Sequence, residues 1–395
     1  MSKWQKVKLG ECIEQIRGVS YKPEDATDVP TEGYYPILRA NNIKDNALIF
    51  DDFVYVKENK IKKEQMIQKG DIIVCASSGS KELVGKAVQA KKDLQMSFGA
   101  FCKGVRAKNI LPEYLGNYFK SPIYRKTISR LSAGANINNI KSEHLDNLEI
   151  PLPPMEEQKE IAARLDAVSD LLAKQKQLLS EQDNLIQSTF YDMFGDPIKN
   201  EKGWNSKKLS ELGSLKNGIN FQKNDNESDL YCLGVADFKD NKYISDISAL
   251  QKVPSKSVNL IEDLLKNGDI VFVRSNGNKA LVGRCVAVYP NEEAVTFSGF
   301  CIRFRKSTTL IKTDYLLYFL KTPQVRNALA GRGANIQNLN QQILSRVNIL
   351  CPPLELQQKF AAVAEQIESE KSKIKSAIAE TQTLFNALMS EYFEE

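Results

Sequence analysis

The sequence predicts an α+β protein built from two copies of one module, each a globular domain followed by a long helix. Segments of the first half return in the second half, in the same order, at an offset of about 200 residues. Short apolar runs broken by Gly, Asn, Asp and Pro, typical of strands and turns, fill residues 1–150 and about 200–350. A heptad pattern of apolar residues, typical of a long helix, comes after each of these stretches.

The internal repeat covers both the globular parts and the entry into each helix. The matched residues and segments are Trp4, Leu9, Glu11 and Gly18 with Trp204, Leu209, Glu211 and Gly218; Gly70–Lys86 with Gly268–Arg284; Phe98, Phe101, Cys102 and Arg106 with Phe297, Phe300, Cys301 and Arg305; Gly134–Ile137 with Gly333–Ile336; and Pro153–Pro154 with Pro352–Pro353. A period of this length indicates duplication of a whole domain with its helix, since solenoid repeats are only about 20–45 residues long.

The composition bounds the class of protein without identifying a partner. The chain has 395 residues, enough for two or three domains, and a net charge of +5 from 54 Lys and Arg against 49 Asp and Glu. This cationic excess suits a nucleic-acid partner but does not establish one, because local patches matter more than the sum. Seven cysteines without a Cys-x-x-Cys pair, a single histidine and no N-terminal apolar segment predict a cytoplasmic protein with reduced thiols and no zinc site.

A long helix is predicted after each globular stretch. The proline pairs end a strand and stand where the first turn of a helix tolerates proline. Apolar residues then recur at alternating spacings of four and three, which is typical of a coiled-coil seam. The seam residues are Ile161, Leu165, Val168, Leu172, Leu179, Ile186 and Met193 in the first copy, and Phe360, Ala364, Ile367, Ile374, Ile378, Phe385, Leu388 and Tyr392 in the second. Polar residues interrupt the two seams at Gln175, Gln182, Thr189, Lys371 and Thr381. The alternative is a single amphipathic helix packed on its own domain.

Within each domain the clearest elements are a buried strand and a short helix. Residues 72–74 and 271–273 are predicted strands that open into polar loops. Short helices are predicted around 112–121 and 314–321. The resulting domain boundaries are 1–153 and 197–352, and the long helices take residues 154–196 and 353–395.

Neither copy contains a catalytic motif. Gly79–Lys86 resembles a phosphate-binding P-loop, but five residues separate its glycines where four are needed, and Ala87 replaces the Ser or Thr that would hold magnesium. No Gly-x-Gly-x-x-Gly comes after a strand, and His-Glu-x-x-His, Gly-x-Ser-x-Gly and Asn-Pro-Pro-aromatic motifs are absent. We therefore predict a binding protein with no catalytic residue, no metal site and no cofactor of its own.

Two signatures, each present twice, carry a family resemblance. One runs from Gly-Asp-Ile through a polar loop to Leu-Val-Gly-(Lys/Arg), at Gly70–Lys86 and Gly268–Arg284. The other runs from Gly-Ala-Asn-Ile to Ile-x-x-Pro-Pro-x-Glu-x-Gln, at Gly134–Gln158 and Gly333–Gln357. In this order, and each followed by a heptad helix, they resemble the specificity subunit of type I restriction–modification systems over essentially the whole chain.

The resemblance implies a role for each part. The globular parts would be target-recognition domains 1 and 2, and the helices would pair as an antiparallel coiled coil that holds them apart. The chain would read a bipartite target with an unread gap in double-stranded DNA, and would catalyse nothing. Its partners would be two modification (methyltransferase) subunits, which use S-adenosylmethionine, and in some complexes restriction (translocase–nuclease) subunits, which use ATP and Mg²⁺. The alternatives are a stand-alone DNA-binding regulator or decoy of this architecture, and a restriction enzyme with an unrecognised nuclease site.

Candidate DNA contacts lie on the polar loops of each domain. Arg and Lys suit guanine, and Asn suits adenine. The candidate base readers are Ser77, Ser78, Ser80, Lys81, Arg39, Asn41 and Asn42 in the first copy, and Arg274, Asn276, Asn278 and Lys279 in the second. Arg39, Asn41 and Asn42 stand where the second copy has Gly234, Ala236 and Asp237, a divergence that fits two different half-sites. The alternative is that these loops are plain strand connections.

Several other residues of the repeat have a predicted place. Lys108, Arg125, Arg326 and Arg332 are candidate phosphate contacts, with simple solvation as the alternative. Phe98, Phe101, Phe297 and Phe300 are predicted core residues rather than base-stacking ones. Cys102 and Cys301 are predicted small core residues, and His144 is predicted to lie at the surface or to cap a helix.

Overall fold

A computed structural model describes residues 4–44, 47–80, 82–131, 138–221, 229–239, 241–255, 258–259, 261–330 and 339–394 of the chain. The chain divides into two compact units, unit 1 (residues 1–177 and 375–395) and unit 2 (residues 178–374). This division cuts both long helices, whereas the sequence predicts each helix as a segment of its own. The reason is that each half of a long helix buries its apolar residues within a different unit. In the described ranges, no helix combines the length and apolar character needed to cross a bilayer.

The helices of the described ranges include the two long ones and the two short ones that the sequence predicts. They are α1 (Pro112–Tyr118), α2 (Pro122–Leu131), α3 (Ser142–Asp146), α4 (Met155–Phe194), α5 (Leu209–Leu212), α6 (Thr313–Lys321), α7 (Pro323–Ala330), α8 (Gln341–Ser345) and α9 (Leu354–Phe393). Both long helices have 40 residues. Each begins directly after its proline pair, because a proline ring suits a strand end and a first helical turn but not a helix interior.

In its described residues, the globular part of unit 1 contains two four-stranded sheets and three short strand pairs. Its strands are β1 (Lys6–Lys8), β2 (Ile13–Arg17), β3 (Ala26–Thr27), β4 (Tyr34–Leu38), β5 (Ile43–Lys44), β6 (Ala47–Leu48), β7 (Val54–Lys57), β8 (Ile72–Cys75), β9 (Ser77–Ser78), β10 (Ala87–Gln89), β11 (Ser97–Phe98), β12 (Cys102–Ala107), β13 (Asn138–Asn139) and β14 (Glu149–Pro151). The sheet orders are β10-β8-β12-β2 and β11-β4-β7-β3, and the pairs are β1-β14, β13-β9 and β5-β6. The fully buried β8 confirms the predicted strand at 72–74.

Unit 2 repeats the central sheet with one additional strand. Its strands are β15 (Ser206–Lys208), β16 (Gly213–Asn217), β17 (Leu230–Leu233), β18 (Tyr243–Ile244), β19 (Gln251–Val253), β20 (Asp269–Val273), β21 (Cys285–Val288), β22 (Val295–Phe297), β23 (Cys301–Lys306) and β24 (Asn348–Leu350). The orders are β16-β23-β20-β21-β18, β19-β17-β22 and β15-β24. The buried β20 contains the predicted strand at 271–273.

The Gly-Asp-Ile signature forms the same buried ion pair in both units. Asp71 accepts hydrogen bonds from Arg106 Nε and Nη2 at 2.8 and 2.7 Å. Asp269 accepts the same two from Arg305 at 2.9 and 2.7 Å. Hydrogen bonding to Asp71 raises the pKa of the Arg106 guanidinium. The repeated aspartate and arginine are therefore structural residues that tie the start of β8 or β20 to the neighbouring strand.

Halves of α4 and α9 pack antiparallel within each unit. In unit 1 the start of α4 lies beside the end of α9, where Gln175 Nε2 donates to Thr381 Oγ1 at 3.2 Å. In unit 2 the end of α4 lies beside the start of α9, where the rings of Phe190 and Phe360 have centroids 5.5 Å apart. All the seam residues that the sequence predicts are buried or half-buried. The predicted pairing of the two helices is confirmed.

The glutamine of each Pro-Pro-x-Glu-x-Gln signature locks a long helix to its domain. Gln158 Oε1 accepts from Leu111 N at 2.8 Å, and its Nε2 donates to the carbonyl of the first proline of the pair at 2.8 Å. Gln357 makes the equivalent contacts. Its Oε1 accepts from Lys312 N at 2.8 Å, and its Nε2 donates to Pro352 O at 2.8 Å. Because both side chains are buried, these hydrogen bonds have no solvent to replace them.

Candidate nucleic-acid interface

Three segments of unit 1 meet just after the buried strand β8. They are β9, the turn 99–101 and β13, which pairs with β9. The carbonyl of Phe101 accepts from Ala76 N and Ser77 N at 2.9 and 3.0 Å, and Ile140 N donates to Ala76 O at 2.7 Å. We call these three segments the loop cluster of unit 1. It fixes the candidate readers Ser77 and Ser78 on a hydrogen-bonded backbone.

The loop cluster of unit 1 borders a cationic surface depression of about 420 Å³. Arg17, Lys103 and Lys141 contribute the positive charge of its lining, and Ser77 and Phe101 lie at the same depression. Lys103 Nζ donates to Ser142 Oγ at 2.7 Å. Burial, and to a smaller extent the positive charge of Arg17, lowers the pKa of Lys103. A cluster of cations beside hydroxyl and amide groups is a chemical match for a phosphate backbone and base edges. Sequence reasoning missed these three cations, although each stands next to a residue of the repeat.

Unit 2 builds an equivalent loop cluster with different side chains. The carbonyl of Phe300 accepts from Arg274 N at 2.8 Å, and Leu339 N donates to Arg274 O at 2.8 Å. Arg274 therefore occupies the place of Ala76. The places of Arg17, Lys103 and Lys141 are taken by Asn217, Ile302 and Asn340. Ile302 is fully buried, and Asn340 caps α8 by accepting from Ile343 N at 2.8 Å. Arg274 is a cation of this loop cluster at a position where unit 1 has alanine.

A close backbone approach explains one pair of repeated glycines. A Cβ on Gly18 would lie 2.1 Å from Gly99 O, and one on Gly218 would lie 2.1 Å from Ser298 O. Such distances are far below van der Waals contact, so neither position tolerates a side chain. The two glycines hold the strand ends against the turns that carry Phe101 and Phe300.

The candidate readers on the polar loops lie at or near the surface. Ser78 Oγ accepts from Ser80 N at 3.1 Å. In unit 2, Asn276 Oδ1 accepts from Asn278 N at 2.8 Å, and Asn278 Oδ1 accepts from Ala280 N at 3.0 Å. These contacts orient the side chains by fixing one end of each. Lys81 and Arg332, and the side chain of Lys279, lie outside the described residues.

The second group of candidate readers is tied to one aspartate. Arg39 Nη2 and Asn41 Nδ2 both donate to Asp52 Oδ2, at 3.1 and 2.7 Å. Asn42 is 1% exposed, and its amide donates to Ile49 O and Asp51 O at 3.1 and 2.6 Å. The structure thus assigns Asn42 a structural role that the sequence did not predict, because its side chain also caps the turn at Arg39 N. Arg39 is half-buried and Asn41 is exposed, and each is held by its hydrogen bond to Asp52.

The prediction that four phenylalanines are core residues is half wrong. Phe98 and Phe297 are buried as predicted, but Phe101 and Phe300 are 70% and 58% exposed. A tight turn separates the members of each pair, closed by Cys102 N to Gly99 O in unit 1 at 2.8 Å. The small residues between the two aromatics were the sequence signal for this turn.

Other predicted residues have clear structural places. Arg125 Nη1 donates to Val84 O at 3.1 Å, and Arg326 Nη2 donates to Ala280 O at 3.2 Å. These two arginines therefore support the far ends of the polar loops. The third candidate phosphate contact, Lys108, has its Nζ 4.0 Å from Glu14 Oε2.

The predicted cysteine and histidine places are also observed. Cys102 and Cys301 are buried and free as predicted. His144 Nδ1 accepts from Lys141 N at 3.4 Å, which confirms the predicted cap. In the part of the chain that the structure describes, no group of three His, Cys, Asp or Glu side chains could hold a metal ion.

Comparison with known protein families finds two copies of one domain, in agreement with the internal repeat of the sequence. The model of the type I restriction modification DNA specificity domain matches residues 1–181 and again residues 201–381. The chain belongs to this family. Each matched copy takes in one globular part with its loop cluster and most of the long helix after it. The type I specificity chain thus carries the family domain twice.

Two curated relatives and two solved structures are similar to this specificity chain along nearly its whole length. The StySPI specificity subunit of Salmonella potsdam is 32% identical over 402 residues, covering 98% of this chain and 86% of the relative. The EcoKI specificity subunit of Escherichia coli (strain K12) is 29% identical over 417 residues, covering 99% and 88%. The S subunit structure from M. genitalium aligns with a TM-score of 0.58 at 16% identity, covering 99% and 96%. A chain solved in a study of assembly of the type I R-M system aligns at 0.59 with 18% identity, covering 99% and 97%. At these identities the two structures support the fold alone.

Proposed function

We propose that this DNA specificity chain selects a bipartite target, one half-site for each unit, and leaves the gap between the half-sites unread. The observation that carries the proposal is the loop cluster, whose described residues form the same backbone hydrogen bonds in both units but carry different polar side chains. An equal frame with unequal side chains is what two different half-sites require.

The catalysis belongs to partner subunits in this proposal. Two modification subunits methylate the target with S-adenosylmethionine, and restriction subunits, where present, use ATP and Mg²⁺, all in the cytoplasm. Two modification subunits fit a chain whose two halves offer like docking surfaces. The comparisons do not favour a stand-alone DNA-binding regulator or decoy. They also do not favour a restriction enzyme with an unrecognised nuclease site.

The paired helices set the length of the unread gap. A 40-residue helix is about 60 Å long at 1.5 Å per residue, and half-sites on one face of B-DNA have centres about 34–36 Å apart. Inserting four residues after Gln182 lengthens α4 by about 6 Å and rotates the remainder of the helix by about 40°. We expect both half-sites to be kept and the gap to grow by one or two base pairs, since a base pair rises about 3.4 Å.

The measurement is sequencing of the sites methylated by complexes of the variant with modification subunits. The matched control inserts the same four residues at the exposed turn before Gly33, which leaves both helices intact and should leave the gap unchanged. A folded helix insertion with the wild-type gap would refute the spacing role. Methyl transfer by the isolated chain would refute the division of labour.

A further inference from the structure

Phe101 and Phe300 hold corresponding positions at the tips of two tight turns. Their rings are largely exposed, whereas their partners Phe98 and Phe297 are buried in the core. Cys102 N donates to Gly99 O at 2.8 Å and Cys301 N donates to Ser298 O at 2.8 Å, which closes the two turns. An exposed phenylalanine gives up the stabilisation that burial would provide, so its occurrence at the same place in both copies calls for a function outside the fold.

The backbone that carries each ring is fixed. The carbonyls of Phe101 and Phe300 accept from the amides that open the two polar loops, at 2.9 Å from Ala76 N and 2.8 Å from Arg274 N. Gly18 and Gly218 pack against the same turns with no room for a side chain. A ring on such a support loses little entropy when it binds, which is the advantage of a preorganised contact.

The surroundings of the rings indicate what they meet. Phe101 lies at the depression that Arg17, Lys103 and Lys141 make cationic. In unit 2, Arg274 Nη1 donates to the carbonyl of Gly299, the residue before Phe300, at 3.4 Å. An apolar ring beside cationic side chains suits DNA better than an apolar protein surface, because the cations pair with phosphates while the ring meets a base.

We infer that Phe101 and Phe300 are base-contacting specificity residues, each placing its ring against a base of the half-site that its own unit reads. This inference rests on the proposed function. The ring offers apolar contact, as to the methyl group of thymine, beside the hydrogen bonds of the neighbouring polar loop. It adds discrimination without adding charge.

The test compares complexes of the chain and modification subunits carrying Phe101→Ala or Phe300→Ala. Each complex selects bound fragments from a pool of randomised duplex DNA, and the fragments are sequenced. Phe101→Ala should lose base preference in one half-site and Phe300→Ala in the other, with about five- to a hundredfold weaker binding to the wild-type target. The slope of affinity against salt should not change, because no phosphate contact is lost.

The control variants are Val29→Ala in unit 1 and Ile261→Ala in unit 2, which remove exposed apolar side chains outside both loop clusters. They should select the wild-type sequence, and all four variants should keep the wild-type thermal midpoint. If the wild-type complex shows clear base preferences and the Phe101→Ala complex shows the same ones, the inference is overturned and the proposed function is not. A wild-type complex without any sequence preference would overturn the proposed function.

Discussion

Units 1 and 2 agree in the residues that hold each domain together and differ in the polar residues that face outward. Both have the aspartate–arginine pair and the buried glutamine at the helix start. The surface cations differ, with Arg17 and Lys141 in unit 1 against Arg274 in unit 2. Duplication thus preserved the backbone frame, while the polar side chains on it became different.

The helix seam shows the same kind of difference inside the protein. In unit 1 the polar contacts between the helices include the neutral pair Gln175–Thr381 and a hydrogen bond from Arg164 Nη1 to the Tyr392 hydroxyl at 3.4 Å. In unit 2, Lys371 Nζ lies 2.5 Å from Asp183 Oδ1 and 3.3 Å from Glu368 Oε1. The contacts between acidic and basic side chains in unit 2 therefore predict a stability that depends on pH in that half of the seam.

The aspartate–arginine pair should give the largest effect of any single change, and an equal one in both units. Asp71→Ala or Asp269→Ala leaves an arginine largely buried without its partner, which costs about 2–4 kcal/mol in the free energy of unfolding. Denaturant unfolding measures this loss, with the exposed Asp28→Ala as the control. A loss in only one unit would show that the frame is not shared.

The buried glutamines should come next. Gln158→Ala or Gln357→Ala strands a backbone amide and a proline carbonyl away from water, at a cost of about 1–3 kcal/mol. Gln358→Ala, on the exposed side of the same helix turn, should be nearly neutral when measured by the same unfolding experiment. Equal losses for Gln357 and Gln358 would contradict the assigned contacts.

The charged seam of unit 2 should give a smaller effect that depends on pH. Burial alone would raise the pKa of Asp183 and Glu368, but Lys371 and Lys242 outweigh it and hold both below their usual 3.8 and 4.5. Their stabilisation is therefore complete above pH 4.5 and is lost as the pH falls through the lowered values. The pKa of Lys371 is raised, burial being outweighed by Asp183 and Glu368, so its contribution is complete below pH 10.5 and lost above.

Lys371→Met should destabilise the protein by about 1–2 kcal/mol at pH 7, less than for a fully buried pair because Asp183 is exposed. It should also flatten the loss of stability in acid. Thr381→Val in unit 1 should cost about 0.5–1.5 kcal/mol at every pH. Urea unfolding from pH 3 to pH 8 separates the two, and an unchanged acid profile for Lys371→Met would rule out the ionic contribution.

The surface cations should give the smallest effect, and only on DNA binding. Arg17→Asn with Lys141→Asn gives unit 1 the residues of unit 2 and should lower the salt slope of DNA affinity by at most about 0.9 for each lost phosphate contact. The reverse change, Asn217→Arg, should raise it, and Lys176→Asn on α4 should not alter it. Titrations of the complex at several salt concentrations measure the slope, and equal slopes for all variants would remove these cations from the interface.

The sequence alone determined the repeat, the class of fold and the long helices, because each rests on a pattern that local physics enforces. A heptad seam buries one helix face, a proline pair interrupts strand pairing, and the short apolar runs 72–74 and 271–273 suit buried strands. It also found the loops at Ser77–Ser80 and Arg274–Asn278, since polar residues with glycine come after each buried strand.

Only the tertiary structure decided which of those residues meet. Asn42 is buried because its amide binds carbonyls up to nine positions away, and Phe101 is exposed because a turn closed by Cys102 lifts it out of the strand alternation. Arg17, Lys103 and Lys141 come together from three separate stretches of chain. Propensity and periodicity describe neighbours along the chain, whereas a binding surface is made of neighbours in space, which long-range strand pairing alone brings together.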